Sequence, residues 1–250
     1  MCIRDSMTTL LIDGDICVYQ YSCASEHEID WGEDVWTLWS NRKEASSLVT
    51  QYIEHLLEAT EATKVLFAFS DKDNFRKKIN PSYKSNRKGT RKPICYKPLV
   101  AWIKDTYESI VKPELEADDI LGILATHPTI IKDKKIVVSE DKDLLTIPGL
   151  LWRNGELHDI DEDAANFNFF KQVLVGDATD GYSGAPGFGK VTAEKALSKD
   201  CSWQTIINCF AQANLDENEA LLQARMARIL RASDYDYKNN KIKLWSPDVL

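Results

Sequence analysis

Thr9-Leu10-Leu11-Ile12-Asp13-Gly14-Asp15 is a short branched and apolar run that stops on two acids flanking a glycine. Such runs, bounded by turn formers, read as buried strands. Two more occur at Lys64 to Phe69 and Lys135 to Val138, each followed by Ser or an acid. Between the first two, Lys43 to Thr60 repeats Leu48, Tyr52, Ile53, Leu56 and Leu57 at helical spacing. Pro98 to Val111 and Glu116 to Thr126 do the same between the second and third. Strands alternating with helices predict an α/β fold: a central, mostly parallel sheet flanked by helices. Asn154-Gly155, between Leu151-Trp152 and Leu157, predicts a hairpin over 150–160. Beyond about Asp161 the strand signals cease, and helical stretches broken by Gly181 to Gly189 follow. The reading is an α/β body over 7–160 and a helical C-terminal module over 161–250.

The 250 residues, 44% apolar and 28% charged, suit a folded globular chain. No apolar run is long enough to span a membrane, and no membrane association is expected. Six cysteines without a C-x-x-C pair, and four histidines without an H-x-x-x-H pair, argue for free thiols in a reducing cytoplasm and against zinc. Residues 1–6 read as a start-site artefact ahead of Met7. The net charge of −8 taken alone argues against a polyanionic partner, so the placement of the charges decides.

In an open parallel sheet, ligands bind where the strands' carboxyl ends meet. Acids recur there: Asp13 and Asp15 after the first strand, Asp71 after the second, Asp141 and Asp143 after the third. Glu116, Asp118 and Asp119 open a helix, and Asp177 and Asp180 stand three apart. Taken singly, each is a cap or turn residue. Together they would repel one another unless cations neutralised them. An all-oxygen donor set selects Mg²⁺, with Mn²⁺ as substitute, and a pair of such ions is the standard device for phosphodiester hydrolysis.

Lys72 to Lys92 carries nine bases against one acid, a net +8 beside Asp71. Phe75, Tyr83 and Tyr96 in or next to the run offer stacking surfaces. A cationic segment next to an acidic centre suits a phosphate backbone. Gly184-Ala185-Pro186-Gly187-Phe188-Gly189-Lys190 leads into a helical start and can bind phosphates through backbone amides without reading bases. Its spacing is not that of a P-loop.

In order, these motifs resemble one family, the 5′→3′ exonuclease and flap endonuclease superfamily, which includes phage exonucleases and the 5′-nuclease domain of bacterial DNA polymerase I. The resemblance runs from about Leu10 to Ala196. Leu11 to Gly14 and Phe67 to Asp71 resemble its metal-ligand strands, and Tyr83 to Arg87 its YKxNR arch motif. Glu116 to Asp119 match EADD, Asp141 to Leu145 match DKDLL, and Gly176 to Gly189 resemble the last acid pair with its helix-hairpin-helix-type module. The resemblance implies a PIN-like nuclease core over 7–160, with a basic arch over 72–97, and a DNA-binding module over 161–250. It implies one metal group on Asp13, Asp71, Glu116, Asp118 and Asp119 and another on Asp141, Asp143, Asp177 and Asp180, with Glu116 and Asp119 available to either. Lys84 becomes an electrostatic catalyst and Arg87 a phosphate clamp. Arg76, Lys77, Tyr83, Lys88, Gly184, Gly187, Gly189 and Lys190 join them as DNA contacts. In relatives the glycine-rich module can hold a monovalent ion, which makes K⁺ a candidate there. The expected activity is Mg²⁺-dependent 5′→3′ exonuclease or flap endonuclease action on DNA duplexes with a 5′ end, nick or flap, in phage replication or primer removal. Asp15 stands where relatives often carry a small polar residue.

Three rivals stay open on the residues. Asp13-x-Asp15 echoes a haloacid-dehalogenase-type phosphatase but leaves the basic segment unexplained. A PIN-like ribonuclease shares the acidic sheet but not the glycine-rich module. A structure-specific DNA-binding protein would use metal only for folding.

Overall fold

The computed structural model describes residues 7–87 and 89–247. The chain begins with β1 (Thr8–Asp13) and α1 (Gly14–Ala24), then a hairpin of β2 (Glu26–Asp30) and β3 (Trp36–Ser40). α2 (Arg42–Thr60), β4 (Lys64–Phe69), α3 (Arg76–Ile79), α4 (Tyr96–Thr106), β5 (Ser109–Val111) and α5 (Ala117–Thr126) follow. β6 (Lys134–Val138), β7 (Gly149–Arg153) and β8 (Glu156–Ile160) complete the sheet. The remainder holds α6 (Glu162–Val175), α7 (Lys190–Leu197), α8 (Trp203–Gln212), α9 (Glu217–Ala227) and a small ribbon of β9 (Tyr235–Asp236) and β10 (Lys241–Ile242).

The main sheet has the order β5-β4-β1-β6-β7-β8. All pairs are parallel except β7 with β8. β1 is buried along its whole length because both faces are covered. Leu10, Ile12, Phe67, Phe69 and Val138 pack on one side with α1, α2 and α4. Leu11, Ala68 and Val137 pack on the other with α5. The chain goes from β1 to β4 on one side and reaches β6 on the other, so the strand order reverses at β1. That switch point opens a crevice at the end of β1, where Asp13 stands.

A third apolar cluster joins Phe169, Phe170, Phe210 and Trp245 of the helical part to Tyr83 of the basic segment. Conversely, Ile229 and Leu230 pack into the sheet's own cluster. The helical part is thus interlocked with the body at the cleft.

Two expectations change. The helix expected over Pro98 to Val111 stops at Thr106, because Tyr107 turns extended and Ser109–Val111 pairs with β4 as an edge strand. The part beyond Asp161, where the sequence shows only helical stretches, also contributes the strands β9 and β10. The 150–160 hairpin forms, with Asn154 and Gly155 both at positive φ. Residues 1–6 lie outside the described residues.

Candidate active site

Asp13 caps α1: its Oδ1 accepts from the amides of Asp15 and Ile16, each at 3.1 Å. Its Oδ2 accepts from Ser139 Oγ at 2.9 Å. Ser139 Oγ in turn accepts from the Asp141 amide at 3.1 Å, so one hydroxyl ties the ends of β1 and β6 together. Gly14 is required here, since a Cβ would lie 2.5 Å from the Phe69 ring and 2.7 Å from a backbone oxygen. Asp15, in the first turn of α1, accepts from the Ser70 amide at 3.1 Å. Asp141 caps the turn Lys142–Thr146 and accepts from the Asp143 amide at 2.9 Å. Asp177 Oδ1 accepts from the Thr179 amide at 2.7 Å, folding a tight loop that presents Asp180.

These acids line one cleft of about 390 Å³. Of the nine expected ligands, Asp13, Glu116, Asp118, Asp141, Asp143, Asp177 and Asp180 are there, and Asp15 joins them. Two are elsewhere. Asp71 turns away from the cleft because the amides of Glu114 and Lys72 capture its oxygens at 2.9 and 2.8 Å. Asp119 is wholly buried against Arg76, at 2.7 and 2.8 Å.

Crowding raises the carboxyls. Burial, with Asp15 and Asp141 adding repulsion, lifts Asp13 to about 7. Burial and Asp141 lift Asp143 to about 6. Asp118 rises through burial and then through Asp13 and Asp141, and Asp180 rises through burial despite Lys84 and Arg87. Glu116 goes the other way: burial pushes it up, but Arg76 and Lys84 outweigh that and hold it at about 2.

The basic segment closes over this cleft. Lys84, at positive φ, donates its amide to the Asp180 carbonyl at 2.9 Å. Its Nζ reaches Glu116 at 2.5 Å and Asp180 at 3.5 Å. Arg87 meets Asp180 at 2.6 Å. The other expected DNA contacts divide. Lys77, Gly187, Gly189 and Lys190 are exposed. Arg76 is buried and its donors are committed to protein acceptors. Tyr83 and Phe75 are only 3% and 5% exposed, so neither offers a stacking face. The Tyr83 hydroxyl donates to Glu116 at 2.7 Å instead. Gly184 is buried against Gly176, where each Cβ would lie 2.4–2.5 Å from the facing backbone. Lys88 lies outside the described residues.

The donors fit divalent cations in kind: all are oxygen, and the raised proton affinities of Asp13, Asp118, Asp143 and Asp180 mark a site short of positive charge. Gln172 adds a buried Oε1 without a partner at the cleft wall. Among the described residues, no group of three or more His, Cys, Asp or Glu side chains is gathered as it stands into a set that could hold a metal ion. Ser139, Ser70 and Gln172 give no signal in the sequence, since hydroxyls and amides carry no charge pattern. Asp15 stands among the sheet-edge acids in the sequence but outside the ligand set that the resemblance implies, because relatives often carry a small polar residue there.

A family model described as the 5′-3′ exonuclease, N-terminal resolvase-like domain, matches residues 8–154. The exodeoxyribonuclease of Enterobacteria phage T3 is 31% identical over 97% of this chain and 94% of its own length. The exonuclease of Escherichia phage T7 is 30% identical over 97% and 95%. The T5 D15 protein co-crystallised with metal ions superposes with a TM-score of 0.68 at 14% identity, covering 88% of each chain. That likeness establishes the fold. Among the described residues, no helix is long and apolar enough to cross a membrane. With the family model running from β1 through β7 and phage exonucleases matching almost end to end, the chain belongs to the 5′-3′ exonuclease family.

Proposed function

We propose that the cleft hydrolyses phosphodiester bonds at DNA 5′ ends, nicks or flaps, with two Mg²⁺ ions, for which Mn²⁺ substitutes. The observation that carries this is the convergence of eight carboxylates in one cleft, capped by Lys84 and Arg87. Asp13, Asp15, Glu116 and Asp118 would hold one ion, and Asp141, Asp143, Asp177 and Asp180 the other. Bound there, such ions supply an activated water and a Lewis acid for the leaving oxygen.

The chain's own groups do the rest. Lys84 and Arg87 exchange their carboxylate partners for the phosphate at the reacting position, and so stabilise charge that develops there. Exposed Lys77 and the open backbone of Gly187 and Gly189, with Lys190 at the start of α7, grip the duplex backbone without reading bases. K⁺ against that open backbone is the finer expectation, tested by replacing K⁺ with Li⁺ in a DNA-binding titration. The phosphatase alternative leaves most of the other carboxylates in the cleft, and the Lys84 and Arg87 that cap them, without a role.

The deciding assay incubates the purified protein with 5′-labelled blunt, nicked and flap duplexes. Mononucleotides or short oligonucleotides bearing 5′-phosphate are expected with Mg²⁺ or Mn²⁺. Equal degradation in EDTA overturns the reading. Preference for RNA restores the ribonuclease alternative, and tight flap binding without turnover restores the non-enzymatic one.

A further inference from the structure

Arg76 lies in the most basic stretch of the chain yet is 3% exposed. Its guanidinium makes five hydrogen bonds, matching its five N–H donors. Nε donates to the Met226 carbonyl at 3.1 Å. One terminal nitrogen donates to Asp119 at 2.8 Å and Glu116 at 3.2 Å. The other donates to Asp119 at 2.7 Å and the Arg228 carbonyl at 2.5 Å. Asp119 is equally committed, accepting from the amides of Leu230 at 3.1 Å and Glu116 at 3.2 Å. The pair therefore joins three parts of the chain: the basic segment through α3, the cleft acids through the N-terminus of α5, and the stretch that follows α9. A second observation locates the same junction. At Gly122, one turn beyond Asp119, a Cβ would lie 2.4 Å from the Leu230 carbonyl, so α5 and that stretch meet at glycine distance.

We infer that Arg76 and Asp119 are a positioning pair that couples the seating of residues 226–230 to the placement of Glu116 in the cleft. This rests on the proposed reading of the cleft as a divalent-metal site. Neither residue meets metal or DNA. Asp119 fixes the Glu116 backbone while Arg76 holds its carboxylate, so the acid can present itself only when the C-terminal helical part is docked. Lysine cannot substitute, because a point charge lacks the fork that spans two carboxylates and two carbonyls.

The test compares Arg76→Lys, Asp119→Asn, their combination and Gly122→Ala below the unfolding temperature of each. Calorimetric Mn²⁺ affinity, single-turnover cleavage, DNA affinity and amide exchange at Glu116 and Leu230 are measured. Each single variant at the pair should weaken Mn²⁺ binding about 10- to 100-fold, the range for groups that orient metal ligands. DNA affinity should stay within about threefold, with faster exchange at both amides. The double variant should be no worse than the worse single one, because the residues act as a unit. Gly122→Ala should weaken Mn²⁺ binding without altering any charge, and it decides the matter if the charge variants do not fold. If Asp119→Asn alone impairs Mn²⁺ binding, Asp119 is a ligand and the inference fails. If every variant lowers Tm while Mn²⁺ affinity and rate are unchanged, the pair is only a brace and the inference fails. Wild-type protein that neither binds Mn²⁺ nor cleaves DNA would instead overturn the function proposed for the cleft.

Discussion

Asp13 and Asp143 bind protons more tightly in the fold than their ordinary value of 3.8 allows, at about 7 and about 6. Between those limits the metal-free fold holds protons that the unfolded chain has released. Their contribution to stability is therefore fully present below 3.8 and is lost as pH rises through 6 and 7. A divalent cation reverses the preference by favouring the charged carboxylates. The Tm increase on adding Mg²⁺ should thus be larger at pH 8 than at pH 5.5, and calorimetry near pH 6.5 in two buffers should detect proton release on binding. A Tm increase independent of pH would disprove the coupling. Lys84 makes a complementary prediction: it sits between Glu116 and Asp180, so Lys84→Ala should slow single-turnover cleavage about 100-fold. An unaltered rate would remove it from the chemistry. At this scale the sequence separates acid from base but not inward from outward. Asp71 and Asp15 follow strand ends alike, and only the amides of Lys72 and Glu114 decide that Asp71 turns out.

Elements were legible where burial imposed a period and obscure where it did not. β1, β4, β6 and α2 were readable because their apolar positions face a core. The β2–β3 hairpin was not, because it stands in solvent: Trp31, Trp36 and Trp39 are all exposed, and acids interrupt its alternation. β5 was absorbed into the preceding helical pattern, since Tyr107 and Ile110 continue the spacing of Leu99 and Ile103. The glycine-rich stretch shows how one composition serves two purposes. Gly176 and Gly184, both at positive φ, press backbone against backbone and so set the loop carrying Asp177 and Asp180. Gly187, also at positive φ, has open space where a Cβ would go. Gly187→Ala should therefore cost only the conformational strain, about 1 kcal/mol, whereas Gly184→Ala adds an unrelieved clash and should cost clearly more, about 3 kcal/mol. Denaturant midpoints at constant slope measure the difference; equal costs would mean the close approach is soft.

At the scale of the whole molecule, the charge total and the charge map point in opposite directions. The net −8 includes the eight acids lining the cleft, which face one another across it and not the solvent at large. The +8 of residues 72–92 is also less available than its count implies. Arg76 is buried, and Lys84 is held between two acids. Lys78, Arg87 and Arg91 pair at the surface with Glu114, Asp180 and Glu26, and Lys72 is 3.9 Å from Asp73. Exposed pairs of this kind are weak and can exchange for phosphate, whereas the buried one cannot. With Lys77 and Lys92, that leaves six surface cations among the described residues of the segment. Each phosphate neutralised contributes about 0.9 to the slope of log affinity against log salt, so these six should supply a slope of about −5, and Lys84 about −1 more once it takes phosphate in place of its acids. Filter binding to a flap duplex from 50 to 200 mM salt, in Ca²⁺ to hold off cleavage, reads this directly. Replacing Lys77 and Lys92 together with alanine should flatten the slope by about 2, while Arg76→Gln, in protein that stays folded, should leave it unchanged. A slope reduced by about 1 in Arg76→Gln would mean that Arg76 meets phosphate after all, and the buried pair with Asp119 would have to open on DNA.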